Sequence, residues 1–312
     1  MGGTKILAAA INSKEGIITR VKKETPPDKA KFIGALSNIV DDVINQLHLK
    51  KTNVKAVCLG VPGSVNPHTG VIGLAPNLGL KNFRIGEILE SAIPYPVLID
   101  NDVNLGALGI KKFGVAKKAK NMIAVFIGTG IGGGIIINEK IYSGSNFVAG
   151  EIGHIVVEKD GPLCGCGNRG CIEAVASRTA IAKNIEDDIN EGKKSLLSDL
   201  VKNKERIKSK ALAQAVKKND PVAVKRLSEA AESIGTMLAG ISNLLNVDMI
   251  VLGGGVIEAM GGFMMPAIKK SFKKNVMKDA AKGLKIVASK LGDDAALYGG
   301  LALAEEFLGV KV

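Results

Sequence analysis

The stretch MIAVFIGTGIGGGIII, residues 122–137, sets the first limit on this chain. Apolar residues run into a glycine loop, and Ile135, Ile136 and Ile137 run straight out of it. Strand, loop and strand in direct succession read as a hairpin. A dinucleotide-binding fingerprint needs a helix immediately after its glycines, and none is predicted here. The Lys-Ser/Thr ending of a phosphate loop is missing too. The run is also too short and too glycine-rich to span a bilayer. Its glycines let the backbone approach an anion closely and aim N–H groups at it.

The same theme opens the chain. KILAAAI (5–11) and GIITRVKKE (16–24) pair as a hairpin across 12–15, directly after GGTK (2–5). A helix is predicted around Phe32–Leu47, where Ile33, Leu36, Ile39, Val40, Val43 and Ile44 recur at helical spacing. VKAVCLGVPG (54–63) reads as a strand, the segment to Lys81 as turns, and 86–91 as a helix. PVLIDNDVN (96–104) reads as a strand running into polar residues, and 105–114 as a helix. In the second half, 122–128 and 134–144 form the other hairpin, and 174 to about 245 is mostly helical. MIVLGGG (249–255) is a strand leading toward a helix over 258–272; 283–291 is a strand and 293–308 a closing helix. Strands that begin as hairpins and continue into crossover helices thus occur twice, which implies two related α/β halves facing a cleft. We place a small α/β domain at 1–108, joined by the last helix (about 295–312), and a large one at 109–294 that carries the cysteine segment.

Three glycine clusters each border a strand: Gly2, Gly3, Thr4 and Lys5; Gly128, Thr129 and Gly130; and Gly253, Gly254 and Gly255. One such loop is usually only a turn. Three of them fit ATP, with two hairpins gripping the phosphates and the third loop near the nucleoside. Thr4 and Thr129 would offer hydroxyls to phosphate oxygens.

The net charge of +12 raises the question of a nucleic-acid partner. The lysines are spread, with clusters at 111–120, 202–210 and 269–282, and aromatic residues are scarce. A lysine-rich solvated surface explains the charge, with a modest bias toward anionic nucleotides, and no nucleic acid is expected. Four cysteines in 312 residues, three of them in one cluster, argue for a reducing compartment and a metal site. No basic leader precedes the first strand. We expect a cytoplasmic protein with no membrane partner.

The cluster lies in EIGHIVVEKDGPLCGCGNRGCIE (151–173). His154, Cys164, Cys166 and Cys171 offer one nitrogen and three sulfurs, a complete tetrahedral zinc set that leaves no position for water. An iron–sulfur centre would more often use four cysteines. The zinc would therefore be structural. It would also fix Glu151 and Glu173, whose carboxylates suit sugar hydroxyls. Cys58, in an apolar strand, is most simply core. Asp102 follows a strand at its carboxyl end, where α/β folds place ligand contacts. A carboxylate there can orient an acceptor hydroxyl and take its proton. Asp100, Asn101, Asp102 and Asn104 are equally turn and cap formers, so base and cap stand level on the residues alone.

Taken together, GGTK, IDNDVN (99–104), GTGIGGG (128–134), EIGH (151–154), CGCGNRGCIE (164–173), VLGGG (251–255) and LGDDAALYGGLALA (291–304) resemble the ROK family of repressors and sugar kinases, over nearly the whole chain. The resemblance implies an actin-like ATPase (ribonuclease H-like) α/β fold of two lobes, with ATP, Mg²⁺ and structural Zn²⁺. It implies Asp102 as the base, with Asp100 as runner-up, and sugar contacts at Gly63, Asn77, Asn101, Asp102, Glu151, His154 and Glu173. APNLGLKNF (75–83) resembles a segment common in the family's glucokinases and tips the substrate toward glucose. Fructose, mannose, allose, N-acetylmannosamine and N-acetylglucosamine are used by relatives, and polyphosphate can replace ATP. A homo-oligomer, dimer or tetramer, is implied. A sugar-responsive regulator is the other class, expected to carry an added amino-terminal DNA-binding domain that this chain has no room for. Members usually begin with a strand ending DxGGT; here Met1 stands at the x position, and the strand and the Asp implied to help position Mg²⁺ are missing from the sequence, for which a start placed too far downstream is the expected reason.

Overall fold

The computed structural model describes residues 1–2, 4–28, 31–48, 50 and 53–309. Among them, twelve strands and ten α-helices fall into two compact units. The first comprises 1–118, 134–149 and 293–312; the second comprises 119–133 and 150–292.

In the first unit, β1 (Lys5–Asn12) and β2 (Gly16–Glu24) form the expected antiparallel hairpin. Asn12 Oδ1 accepts from the amides of Lys14 and Glu15 and sets the turn. Helix α1 (Phe32–Gln46) buries Phe32, Leu36, Ile39 and Val43, the predicted stripe. β3 (Val57–Val61) pairs in parallel with β7 (Val97–Asn101), and α2 (Ile85–Ala92) packs beside them. Ile6, Phe32, Leu36, Val61, Ile72, Ile85, Leu89 and Ile99 share one buried cluster.

The segment to Lys81, expected to be turns, lies within an antiparallel sheet of β4 (Ser64–Asn66), β5 (Val71–Ala75) and β6 (Leu80–Phe83). Strands of three to five residues, broken by Asn-Pro and Gly, are too short to display a period. Their apolar side chains Val65, Ile72, Ala75 and Leu80 nonetheless enter the core.

Helix α3 (Asp102–Lys112) starts three residues before the sequence expectation. It packs on α10 (Asp294–Leu308) at backbone distance. A Cβ at Gly109 would overlap the Ala295 carbonyl, and one at Gly299 would overlap that of Leu105. Glycine at both positions therefore permits the approach.

The second unit is built on three parallel strands. β11 (Met249–Gly253) lies between β8 (Met122–Ile127) and β12 (Lys285–Ala288). β9 (Ile131–Ile137) follows β8 through the glycine turn, starting inside the glycines rather than after them, and from residue 134 onward it counts with the first unit; Asn138 and Glu139, both at positive φ, separate it from β10 (Lys140–Ile141), also of the first unit. Residues 174–245 are helical as expected: α4 (Ile172–Ala176), α5 (Arg178–Asn190), α6 (Ser198–Lys202), α7 (Ser209–Lys217) and α8 (Pro221–Leu245). α9 (Gly255–Asn275) packs on α8. Among the described residues no helix is long and apolar enough to cross a membrane.

Candidate functional site

In the first unit the candidates gather at the end of β7. Asn101 caps α3: its Oδ1 accepts from the amides of Val103 and Asn104 at 2.8 and 3.1 Å. Its Nδ2 donates to the Gly63 carbonyl at 2.9 Å, which ties the start of the 64–83 sheet to the cap. Asp100 is turned inward and accepts from Asn104 Nδ2 at 3.1 Å and the Asn101 amide at 2.6 Å. Burial pushes its carboxyl above the ordinary value, and those two donors pull it partly back.

Asp102 is the first residue of α3, Asn101 is its cap, and the Asp102 carboxylate faces the amides of Val103 and of Asp102 itself. Burial raises its carboxyl pKa, opposed by the Met1 ammonium. That ammonium donates to the Gly60 carbonyl at 2.6 Å, and burial in turn lowers its own pKa. Asn77 stands exposed on a 3₁₀ turn, Pro76–Leu78. At the chain start, the Gly2 carbonyl accepts from Thr25 Oγ1 at 2.6 Å, and the Thr4 carbonyl accepts from the Thr25 amide. Thr4 and Lys5 are exposed; Gly3 lies outside the described residues.

In the second unit the cysteine segment folds as a knuckle. His154, Cys164, Cys166 and Cys171 bring their ligand atoms within 4.8 Å of one another. Cys166 Sγ and Cys171 Sγ are 3.7 Å apart, and Cys164 Sγ lies 3.6 Å from His154 Nδ1. Bonds of about 2.3 Å to sulfur and about 2.0–2.1 Å to nitrogen give tetrahedral edges of about 3.8 and about 3.6 Å. The four residues therefore fit zinc by distance as well as by chemistry. Nδ1 faces the sulfurs, so Nε2 is turned the other way, with Glu151 Oε2 at 3.8 Å. His154 thus presents one ring nitrogen to the metal position and the other to Glu151.

Glu173 sits two residues past Cys171, in the first turn of α4. Its Oε2 accepts from the Ile131 amide at 2.8 Å, and a Cβ at Gly130 would overlap that same oxygen. The glycine turn 128–130 is gripped from the α4–α5 junction as well. The Arg178 amide donates to the Gly128 carbonyl at 2.9 Å, Thr179 Oγ1 to the Thr129 carbonyl at 2.8 Å, and Arg178 Nη2 to Thr129 Oγ1 at 2.6 Å. Sequence reasoning missed Arg178 and Thr179, since no motif marks them. The third glycine cluster bridges strand and helix: Gly253 ends β11, Gly254 takes φ 84°, and Gly255 opens α9.

The ROK family model matches residues 1–307. A glucokinase of Halalkalibacterium halodurans is 36% identical over 306 residues, covering 96% of this chain and 92% of that protein. The crystal structure of a ROK glucokinase from Streptomyces griseus, in complex with glucose and AMPPNP, superposes with a TM-score of 0.85 at 32% identity, over 98% of this chain and 97% of that one. A ROK transcriptional regulator homologous to the Escherichia coli MLC protein gives 0.88 at 26% identity, over 99% of this chain and 76% of that one. With the knuckle, the glycine turns and Asp102 at the start of the Asn101-capped helix in place, and with a match that runs from residue 1 to residue 307, the chain belongs to the ROK family.

Proposed function

We propose that the protein is an ATP-dependent hexose kinase that converts glucose to glucose 6-phosphate. The observation that carries this reading is Asp102. It stands at the carboxyl end of β7, at the start of the Asn101-capped helix, with its pKa raised by burial. A general base works best when its pKa approaches the operating pH. In the reaction, Asp102 accepts the proton of the sugar hydroxyl as that oxygen bonds to the γ-phosphorus of ATP. The bond from that phosphorus to the bridging oxygen breaks, and ADP leaves. The glycine turns at 2–5, 128–130 and 253–255 are assigned to the nucleotide, and Gly63, Asn77, Asn101, Glu151, His154 and Glu173 to the sugar. Mg²⁺, when bound with ATP, neutralises charge on the phosphates.

We assign Zn²⁺ to His154, Cys164, Cys166 and Cys171 as a structural ion, since four protein ligands close its coordination. Its work is to hold His154 Nε2, Glu151 and Glu173 in place.

Regulators share the family, and the kinase reading is favoured by the higher identity to glucokinases, 36% and 32% against 30% and 26%, and by coverage of 92% and 97% of the glucokinases against 69% and 76% of the regulators. A coupled ADP-release assay over glucose, fructose, mannose, N-acetylmannosamine and N-acetylglucosamine tests it. Glucose should give the largest kcat/KM. If none of these sugars gives ADP release, the kinase reading fails, and a clear preference for another sugar would overturn the glucose assignment.

A further inference from the structure

We infer that Arg178 binds the nucleotide phosphates and fixes the Thr129 hydroxyl as a hydrogen-bond donor toward them. This rests on assigning the 128–130 turn to ATP. Arg178 is the first residue of α5, and its Nη2 lies 2.6 Å from Thr129 Oγ1. A guanidinium only donates, so the hydroxyl oxygen must accept. One lone pair of Thr129 is thereby occupied and its single proton is left to be given elsewhere. A phosphate oxygen is a strong acceptor for it.

The placement of Arg178 is otherwise unfavourable. The amino-terminal end of a helix carries partial positive charge and favours anions, and the first turn of α5 contains no acidic residue. Arg20, Arg84 and Arg226 each meet a carboxylate, and Arg169 donates to the Gly161 carbonyl. Among the described residues no carboxylate forms an ion pair with Arg178; its described side-chain partner is the Thr129 hydroxyl. A half-buried cation is thus held at a positive helix end, beside a glycine turn, with donors to spare. An anion at the turn resolves this arrangement, because it would meet the guanidinium, the helix end and the Thr129 proton together.

The rigid mounting supports a binding role over a mobile surface side chain. The Arg178 amide is tied to the Gly128 carbonyl, Thr179 Oγ1 to the Thr129 carbonyl, and Ser177 Oγ accepts from the Ala180 amide to cap α5. Both the arginine and the turn it reads are fixed by the same short segment.

Calorimetric titration of the full chain with Mg²⁺-ATP and, separately, with adenosine decides the matter. Arg178→Gln should weaken ATP binding on the order of tenfold and leave adenosine unchanged. Thr129→Val should weaken ATP less, and the double variant should lose less than the sum, because the two groups act as a unit. Arg178→Lys, which keeps the charge, should recover part of the ATP affinity. ATP affinity of Arg178→Gln within about twofold of the parent, or parallel loss of ATP and adenosine, would overturn the inference. If Arg178→Gln unfolds at the assay temperature, the comparison passes to Arg178→Lys and Thr129→Val: unchanged ATP binding in both overturns it. Sugar-dependent ADP release by the parent separates the two claims. ATP bound but no sugar phosphorylated sinks the kinase reading and leaves this inference standing. Full turnover with unaltered ATP binding in Arg178→Gln does the reverse.

Discussion

Glu173 Oε2 accepts the Ile131 amide at 2.8 Å, so a carboxylate two residues beyond Cys171 holds the glycine turn at the start of β9. The bond spans 42 residues of sequence and joins the knuckle to the turn within one unit. Its second oxygen is left for another partner. Glu173 therefore stands in two relations at once, one to the backbone of the turn and one to the proposed sugar.

Glu173→Ala removes the acceptor and leaves the Ile131 amide without it. Losing one partner of such a bond costs roughly 1–3 kcal/mol. The expected result is a rise in KM for ATP as well as for the sugar, measured by steady-state kinetics with each substrate varied. A rise in sugar KM alone would mean that the bond to Ile131 carries no functional weight. Gly130→Ala should mimic the ATP effect, since its Cβ would displace the Glu173 carboxylate.

Metal removal should act unequally. The chain should bind one Zn²⁺, measurable by elemental analysis, through His154, Cys164, Cys166 and Cys171. His154 is itself a proposed ligand and its Nε2 lies 3.8 Å from Glu151 Oε2, whereas Glu173 is also anchored by α4 and by Ile131. Chelation, or Cys166→Ser, should therefore weaken sugar binding more than ATP binding in calorimetric titrations. Equal loss of both would indicate unfolding of the whole second unit.

Away from the site, Asp188 is buried on α5 between Arg226 and Lys193, with Arg226 Nε and Nη2 each donating at 2.7 Å. These partners hold its carboxyl down at about 2. A shift of that size from the ordinary value is worth about 2 kcal/mol. The sign follows from the depressed folded pKa: the stabilisation is complete above the ordinary carboxylate range and is lost as pH falls toward 2. Asp188→Asn should lower the melting temperature by several degrees at pH 7 and flatten the decline in acid. An unchanged melting temperature at pH 7 would remove Asp188 from the account of stability.

The clustering of His154, Cys164, Cys166 and Cys171 and the two hairpins were legible in the sequence because their signals are local. Three sulfurs within eight residues and strands that alternate across a tight turn need no long-range contact to be recognised. The 64–83 sheet was not legible, since no strand in it is long enough to show alternation; only burial of Ile72 and Val65 against the rest of the first unit selects it. The residues 99–104 allowed a cap or a base at Asp102. Asn101 takes the cap by accepting from two amides, a choice that turn chemistry alone leaves open among four polar neighbours. Arg178 could not be found from sequence, because what makes it notable is Thr129, 49 residues earlier, which the fold alone brings to it.

The sharpest test falls on Asp102. Burial favours the neutral acid, so its pKa stands above the ordinary carboxylate value, with the Met1 ammonium pulling the other way. A base must be ionised to accept the hydroxyl proton, so kcat/KM should fall as pH drops through this raised pKa. The acid limb should accordingly lie above the value of about 3.9 for a free Asp side chain. The same raised pKa makes the ionised form costly to the fold: between the unfolded and folded pKa values the native state holds the extra proton, so stability declines as pH rises through that window. Asp102→Asn keeps the shape and removes the buried charge. It should lower kcat by roughly 10²–10⁴-fold while the melting temperature at pH 7 stays level or rises. A variant that keeps substantial activity, or a parent whose acid limb lies at or below that free-carboxylate value, would take the base away from Asp102.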